Sequence, residues 1–356
     1  MSYTTVYIID DSAIVRATVS RMLSDVIGIK VLGAAADPVL GQRQMQKHWP
    51  DVIVLDLEMD QMDGLTFLQK LMKERPTPVV IFSSLVDGNC ETSLKALHCG
   101  AVEIVVKPKS DLKNRLPSCL DDLLAALQGA SKSKQTRINH DEVIPLKKIA
   151  EKLNADVILS PSTGGRKKET YPLIAIGASA GGTIALEQII PSLPKNVLPI
   201  LIVQHMPEGV TKAFARRLNE LSEVEVKEAE NNDPLLPGRV LIAPGGKHML
   251  LRVSSLGAVV RLEDGPPVCR HIPSVDVLFR SVSKFGGKRA MGIILTGMGD
   301  DGALGMKEMH DAGVKTIAQD KDSCMVYGMP AEAVCLGGVD KELPLDKISE
   351  IIYAHR

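Results

Sequence analysis

Ser179 stands in Gly177-Ala178-Ser179-Ala180-Gly181-Gly182, between the apolar run Leu173-Ile174-Ala175-Ile176 and a helix-patterned stretch over 183–190. Small residues permit a sharp strand-to-helix turn that exposes one hydroxyl beside backbone N–H groups, as in the G-x-S-x-G arrangement of nucleophilic serines. The same glycines would equally suit a phosphate-binding turn. A serine hydroxyl is a weak nucleophile until a base takes its proton, usually a histidine oriented by a carboxylate. Of the eight histidines, His205 follows Pro199-Ile200-Leu201-Ile202-Val203-Gln204 and so stands at a strand end. His248 lies in Pro244-Gly245-Gly246-Lys247-His248, and His271 in a proline-flanked loop. The candidate acids are Asp300 and Asp301 in Leu295-Thr296-Gly297-Met298-Gly299-Asp300-Asp301-Gly302, again just after a strand; spacing does not choose between them. Serine, histidine and acid thus all fall at strand carboxyl ends, where an open α/β sheet places its active site. Their order, Ser…His…Asp, differs from the Ser…Asp…His of α/β-hydrolases and disfavours an ordinary lipase or esterase fold.

A second set of groups lies near the start of the chain. Asp10-Asp11 follow Val6-Tyr7-Ile8-Ile9, and Asp56 follows Val52-Ile53-Val54-Leu55. In a parallel sheet these acids share the carboxyl edge. Converging carboxylates repel one another unless a hard cation sits among them, and an all-oxygen set suits Mg²⁺. Ser83 ends the run Val79-Val80-Ile81-Phe82 with a hydroxyl, and Lys107 ends Glu103-Ile104-Val105-Val106 with a positive charge. Together they suit phosphoryl transfer to a carboxylate, with Asp56 as acceptor. The plain alternative is a set of solvated acidic strand ends.

The elements that must position these groups alternate along the chain. Within 1–110, five short apolar runs interleave with helical stretches such as 12–26 and 64–73, which implies a parallel, doubly wound, flavodoxin-like sheet. A polar joint spans 111–170; it carries the amphipathic piece Cys119-Leu120-Asp121-Asp122-Leu123-Leu124, a possible short helix over 149–153, and Ser160-Pro161-Ser162-Thr163-Gly164-Gly165. From Tyr171 onward, strand and helix alternation resumes over 171–356 as a second doubly wound α/β domain.

Composition narrows the function classes. The chain has 356 residues, enough for two domains, with 45% hydrophobic and 24% charged residues, as in water-soluble globular proteins. A net charge of −1 and only 3% aromatics argue against nucleic-acid binding. No apolar run approaches a membrane span, and Met1-Ser2-Tyr3-Thr4-Thr5 enters a strand without a signal-peptide pattern. The six cysteines form no C-x-x-C pair and read as reduced thiols of a cytoplasmic protein.

Residues 1–110 resemble response-regulator receiver domains, through Ile8-Ile9-Asp10-Asp11-Ser12, Asp51-Val52-Ile53-Val54-Leu55-Asp56, Met62-Asp63-Gly64, Ser83-Ser84 and Val106-Lys107-Pro108. That resemblance implies Asp56 as phospho-acceptor, Asp10, Asp11 and Asp56 as the Mg²⁺ site, Ser83 as switch hydroxyl and Lys107 as phosphate partner. Asp60 stands where proline is usual, and Ile104 where an aromatic switch residue is common.

Residues 171–356 resemble the catalytic domain of chemotaxis protein-glutamate methylesterases. The likeness rests on Ile176-Gly177-Ala178-Ser179-Ala180-Gly181-Gly182, Gln204-His205-Met206-Pro207, Ala243-Pro244-Gly245-Gly246-Lys247-His248, Pro273-Ser274-Val275-Asp276-Val277-Leu278-Phe279, Leu295-Thr296-Gly297-Met298-Gly299 and Tyr327-Gly328-Met329-Pro330. It implies Ser179 as nucleophile, His205 as base, Asp301 as orienting acid and Met298 at the oxyanion site. Asp300 replaces the usual asparagine, and Ile272 stands where a basic residue is expected.

The combined resemblance implies a phosphorylation-activated serine hydrolase. It would demethylate glutamyl esters on the cytoplasmic helices of methyl-accepting chemoreceptors, release methanol and deamidate receptor glutamines. A chemotaxis histidine kinase would be the phosphodonor, and the unphosphorylated receiver would obstruct the hydrolase face. Ester hydrolysis itself would need no metal. Two other classes remain open at this point: a receiver-controlled protein that binds a phosphate-bearing ligand at Gly177–Gly182, and a catalytically silent docking adaptor.

Overall fold

Buried β-branched and leucine runs make the strands of this chain, and short polar caps start many of its helices. The computed structural model describes residues 3–59, 63–84, 90–108, 116–133, 152–161, 171–254 and 257–355. These fall into two units, Met1–Glu151 and Lys152–Arg356.

In the first unit the elements run β1 (Thr4–Ile9), α1 (Ala13–Ser24), β2 (Ile29–Ala35), α2 (Pro38–Met45), β3 (Val52–Leu55), α3 (Gly64–Glu74), β4 (Val79–Ser83), α4 (Cys90–His98), β5 (Glu103–Val106) and α5 (Leu120–Lys132). The five strands are parallel in the order β2-β1-β3-β4-β5. β3 and β4 are buried along their whole length, as expected for a sheet covered on both faces. Ser12 and Asp37 cap α1 and α2 by accepting the backbone N–H of Val15 and Leu40. The register sets Ile9 beside Leu55 and Ser83 beside Val106, so Asp10, Asp56, Ser83 and Lys107 emerge at one sheet edge.

The second unit opens with a single 3₁₀ turn, Ala155–Val157, started by the Asn154 side chain. Most of the short helix expected over 149–153 lies outside the described residues. Then follow β6 (Leu173–Ala178), α6 (Gly182–Ile189), β7 (Ile200–Gln204), α7 (Val210–Leu221), β8 (Glu225–Glu228), β9 (Arg239–Ile242), β10 (His248–Ser254), β11 (Gly257–Glu263) and α8 (Val275–Phe285). The chain closes with β12 (Ala290–Ile294), α9 (Ala303–Asp311), β13 (Lys315–Gln319), α10 (Met329–Cys335), β14 (Lys341–Leu343) and α11 (Leu345–Ala354). Seven strands form a parallel sheet in the order β14-β13-β12-β6-β7-β9-β8.

Chain progression runs outward from β6 in one direction through β7, then jumps to β12 on the other side and runs outward again. The order therefore reverses between β6 and β12, and a doubly wound sheet opens its ligand crevice at such a reversal. β10 pairs antiparallel with β11 as a separate two-stranded sheet. Edge strands β8 and β14 escape a reading by apolar runs because Glu225, Lys341 and Glu342 face solvent.

Residues 152–161 pack with the second unit. Ala155 is buried with Leu250, Val268, Cys269 and Val277, and Ile158 and Leu159 pack against that cluster. Arg280 of α8 binds Asp156 and the Leu159 carbonyl on one side and Glu308 on the other.

Candidate active site

Ser179 is the first residue after β6, at the point where the sheet order reverses. Its N–H donates to the Thr296 carbonyl (3.1 Å), and its carbonyl accepts from Gly182 N (2.8 Å) and from the Gln204 side chain (2.9 Å). The turn is thus tied on one side to the loop after β12 and on the other to the end of β7. Gly181 caps α6 at φ 78°, a left-handed conformation that glycine adopts without a Cβ clash. A Cβ there would also fall 2.6 Å from that of Met325, so both backbone and space require glycine.

His205 follows β7 directly, and its N–H donates to the Ala178 carbonyl (3.1 Å), placing it beside the Ser179 turn. Its ring Nε2 donates to Asp301 Oδ2 (2.8 Å). The other nitrogen, Nδ1, is buried and has no hydrogen-bond partner among the described residues. With Nε2 committed to the carboxylate, Nδ1 is the nitrogen left to act as a base. It is not bonded to Ser179 in this conformation, and such bonds often tighten only with substrate in place.

Asp301 sits buried at the N-terminus of α8. One oxygen accepts from Ser274 Oγ (2.8 Å) and Asp276 N (3.0 Å), and the other from Val275 N (2.7 Å) and His205. Ser274 is the N-cap of α8, so the carboxylate faces the positive end of a helix. Burial alone would raise its pKa, but His205, His271 and the helix N–H groups outweigh it and hold the carboxyl below its ordinary value. Asp300, its neighbour, points elsewhere and pairs with Lys152 (2.6 and 2.8 Å) at the surface.

Met298 lies half-buried in the loop between β12 and α9, and among the described residues no hydrogen bond engages its backbone N–H. The loop is fixed from behind: Gly297 N donates to the Val326 carbonyl, and the Gly297 carbonyl accepts from Gly328 and Met329. A Cβ on Gly297 would lie 2.9 Å from that of Ser179, which measures how closely loop and serine approach. The other histidines near the sheet edge serve differently. His248 is buried, with Nε2 on the Pro266 carbonyl and Nδ1 accepting from Ser274 N. His271 stacks on His205, ring centroids 3.6 Å apart.

In the first unit, Lys107 Nζ bridges Asp10 Oδ2 and Asp56 Oδ2, each at 2.5 Å. Carboxylate oxygens of Asp10, Asp11 and Asp56 lie within 4.8 Å of one another, Asp11 exposed and the other two buried. Desolvation, helped by the Asp56 charge, pushes Asp10 up to about 6 despite the opposing pull of Lys107. Ser83 is buried at the same edge, its carbonyl accepting from Lys107 N (2.9 Å). Ile104 lies buried in β5, and Asp60 lies outside the described residues. A second acidic group, Cys269, Asp276 and Asp301, is buried in the other unit, but there each carboxylate already accepts protein donors.

The family model of the CheB methylesterase matches residues 174–352, and that of the response regulator receiver domain matches 6–116. A protein-glutamate methylesterase/protein-glutamine glutaminase of Pseudomonas savastanoi pv. phaseolicola is 52% identical over 352 residues, spanning 99% of this chain and 98% of that protein. The chain belongs to the CheB methylesterase family. A second relative of the same description, from Chromobacterium violaceum, is 51% identical over 98% of each chain. The crystal structure of the Thermotoga maritima CheB methylesterase catalytic domain covers 52% of this chain and 99% of its own, with 38% identity and a TM-score of 0.51.

Within this CheB-family unit, sequence reasoning passed over several residues that build the site. Gln204 holds the carbonyls of both Ser179 and His205, and Thr296 Oγ1 binds the Ala180 and Val326 carbonyls. Ser274 ahead of an amphipathic helix is a legible N-cap signal. That its helix end would receive the carboxylate of Asp301, in a distant loop, is not written in any local pattern.

Proposed function

We propose that this chain hydrolyses glutamyl methyl esters on the cytoplasmic helices of methyl-accepting chemoreceptors, releasing methanol, and deamidates receptor glutamines by the same acyl chemistry. Ser179 attacks the carbonyl carbon while His205 Nδ1 takes its proton and returns it to the leaving methoxide, giving methanol, or to the leaving amide nitrogen, giving ammonia. Asp301 holds Nε2–H and offsets the charge of the imidazolium. The N–H groups of Met298, Ala180 and Gly181, which donate to no other group among the described residues, serve the developing oxyanion; one such donor is worth about 10²–10³ in rate. Water then attacks the acyl-serine along the same proton route, returning a glutamate carboxylate. The single observation that carries this reading is the His205–Asp301 pair, 2.8 Å and buried, beside a serine presented at the sheet's reversal point.

The receiver supplies control. Asp56 accepts a phosphoryl group from a chemotaxis histidine kinase, with Lys107 and Ser83 positioned for its oxygens. The all-oxygen set of Asp10, Asp11 and Asp56 fits Mg²⁺, which would neutralise phosphoryl charge there. The receiver is assigned to 1–110, the joint to 111–170 and the hydrolase to 171–356; within the joint, α5 packs on the receiver strands and the described 152–161 stretch on the hydrolase. Among the described residues no helix is long and apolar enough to cross a membrane; the proposed place of action on receptor helices is the cytoplasm. The test is methanol release from methylated receptor by the full chain and by Ser179→Ala. Loss of a triad nucleophile costs on the order of 10⁶ in rate, so residual activity above about a hundredth of the starting rate refutes the assignment.

A further inference from the structure

His205 is hydrogen-bonded at one ring atom only, Nε2 on Asp301, and Nδ1 has no partner among the described residues. A planar ring held at one edge can still swing about that bond, and the swing carries Nδ1 away from a serine. What opposes the swing is a second imidazole: the His271 ring lies flat on that of His205, with centroids 3.6 Å apart and planes 11° from parallel. We propose that His271 is a positioning residue for hydrolysis, its stacked ring setting the plane of His205 and hence the aim of Nδ1. The proposal rests on the hydrolase reading given above.

A positioning ring must itself be fixed, and His271 is. It ends a tight two-residue turn in which Val268 and His271 exchange backbone hydrogen bonds of 3.1 and 2.9 Å. The turn residues Cys269 and Arg270 have φ of 47° and 72°, a region that side chains with a Cβ avoid. Such a conformation persists only where its surroundings hold it. Here Cys269 N donates to the Leu153 carbonyl (2.9 Å), and Val268 and Cys269 are buried against Ala155, Leu250 and Val277. The Ile272 carbonyl, next in the chain, accepts from Gly246 N (3.3 Å).

Charge suits the same role. The charged and titratable groups facing His271 are His205, Asp301, Arg270 on its own turn and Lys152 from the segment before the sheet. Burial and then His205 push its pKa down to about 3, with Arg270 and Lys152 adding to that and Asp301 opposing. The ring is therefore neutral at working pH and offers its face to the imidazolium that forms on His205, where a second cation would repel it.

The test compares the full-length protein with H271A and H271F, following methanol release from a chemoreceptor cytoplasmic fragment that carries glutamyl methyl esters. H271A is expected to lose about 10–100-fold in kcat with KM little changed, as for a small misplacement of a reacting group. H271F keeps a flat face and should restore most of kcat. Imidazole nitrogen chemical shifts of His205 give a reading independent of turnover: one Nε2–H tautomer in the starting protein and in H271F, and a mixture in H271A. If H271A does not fold, H271L takes its place, filling the volume without a flat face. Unchanged kcat and tautomer in H271A, or equal impairment of the aliphatic and phenylalanine variants, overturns the proposal. If the starting protein releases no methanol, the hydrolase reading falls, and the nitrogen shifts still decide the stack.

Discussion

Asp301→Asn separates the two adjacent acids by geometry alone. The carboxylate accepts four hydrogen bonds, and each oxygen takes one from a backbone N–H of α8: Val275 on Oδ2 and Asp276 on Oδ1. An asparagine must turn its NH₂ toward one of those N–H groups, so either rotamer leaves a buried donor facing a donor, which costs about 1–3 kcal/mol of stability. If the NH₂ takes the Oδ2 side it also meets His205, which then keeps its proton on Nδ1, the nitrogen needed as base. That wrong-tautomer outcome costs about 10⁴ in kcat in serine proteases. Asp300→Asn removes only a surface pair with Lys152, worth about 0–1 kcal/mol. Even if all of that were felt at the barrier, the rate would change by less than about fivefold. The pH dependence carries a sign as well. A carboxyl held below its ordinary value stabilises the fold above about pH 4, the unfolded range, and loses that contribution as pH falls through the folded value. Asp301→Asn should therefore flatten the acid side of the stability curve. Methanol release and thermal melts on both variants check these points. An Asp301→Asn protein retaining more than about a hundredth of kcat, or a larger loss in Asp300→Asn, would refute the reasoning.

Asp276, buried beside Asp301, is pushed up to about 7, first by burial and then by its neighbour's charge. The native state therefore keeps a proton that the unfolded chain gives up, and stability falls as pH rises from about 4 through 7. Asp276→Asn, a neutral mimic, should gain in melting temperature relative to the starting protein on going from pH 5 to pH 8; an identical offset at both would exclude this cause. A hydrolase fragment beginning at Tyr171 should melt roughly 5–10 °C below one beginning at Lys152, because it returns the surfaces under Ala155, Ile158 and Leu159 to water and strips Asp156 from Arg280. Equal melting temperatures would show that 152–161 contributes nothing to the fold. Asp56→Asn should leave basal ester hydrolysis unchanged and abolish its rise with a small phosphodonor and Mg²⁺; retained activation would move the acceptor elsewhere.

Much of this architecture was legible in order alone. Buried runs such as Val52–Leu55 and Leu173–Ala178 announce parallel strands, and a parallel sheet sends every strand end to one edge. That is why the sequence alone groups Asp10, Asp56, Ser83 and Lys107, and likewise Ser179, His205 and the loop of Asp300 and Asp301. Polar edge strands such as β8 were not legible, since apolar runs signal burial and an edge has little. Spacing also left Asp300 and Asp301 open, and only the family resemblance pointed to Asp301. Adjacent residues in a loop share every local property, and what distinguishes them is the N-terminus of α8, some 25 positions earlier, waiting for one carboxylate. The His205–His271 stack is likewise long-range: it needs a strained turn clamped by Leu153, and no pattern within the turn specifies that clamp. Local sequence determined where chemistry could collect, because strand ends and helix caps are set by neighbouring residues. Tertiary packing decided which groups touch, because hydrogen bonds to buried carboxylates and ring faces are made between segments far apart in the chain.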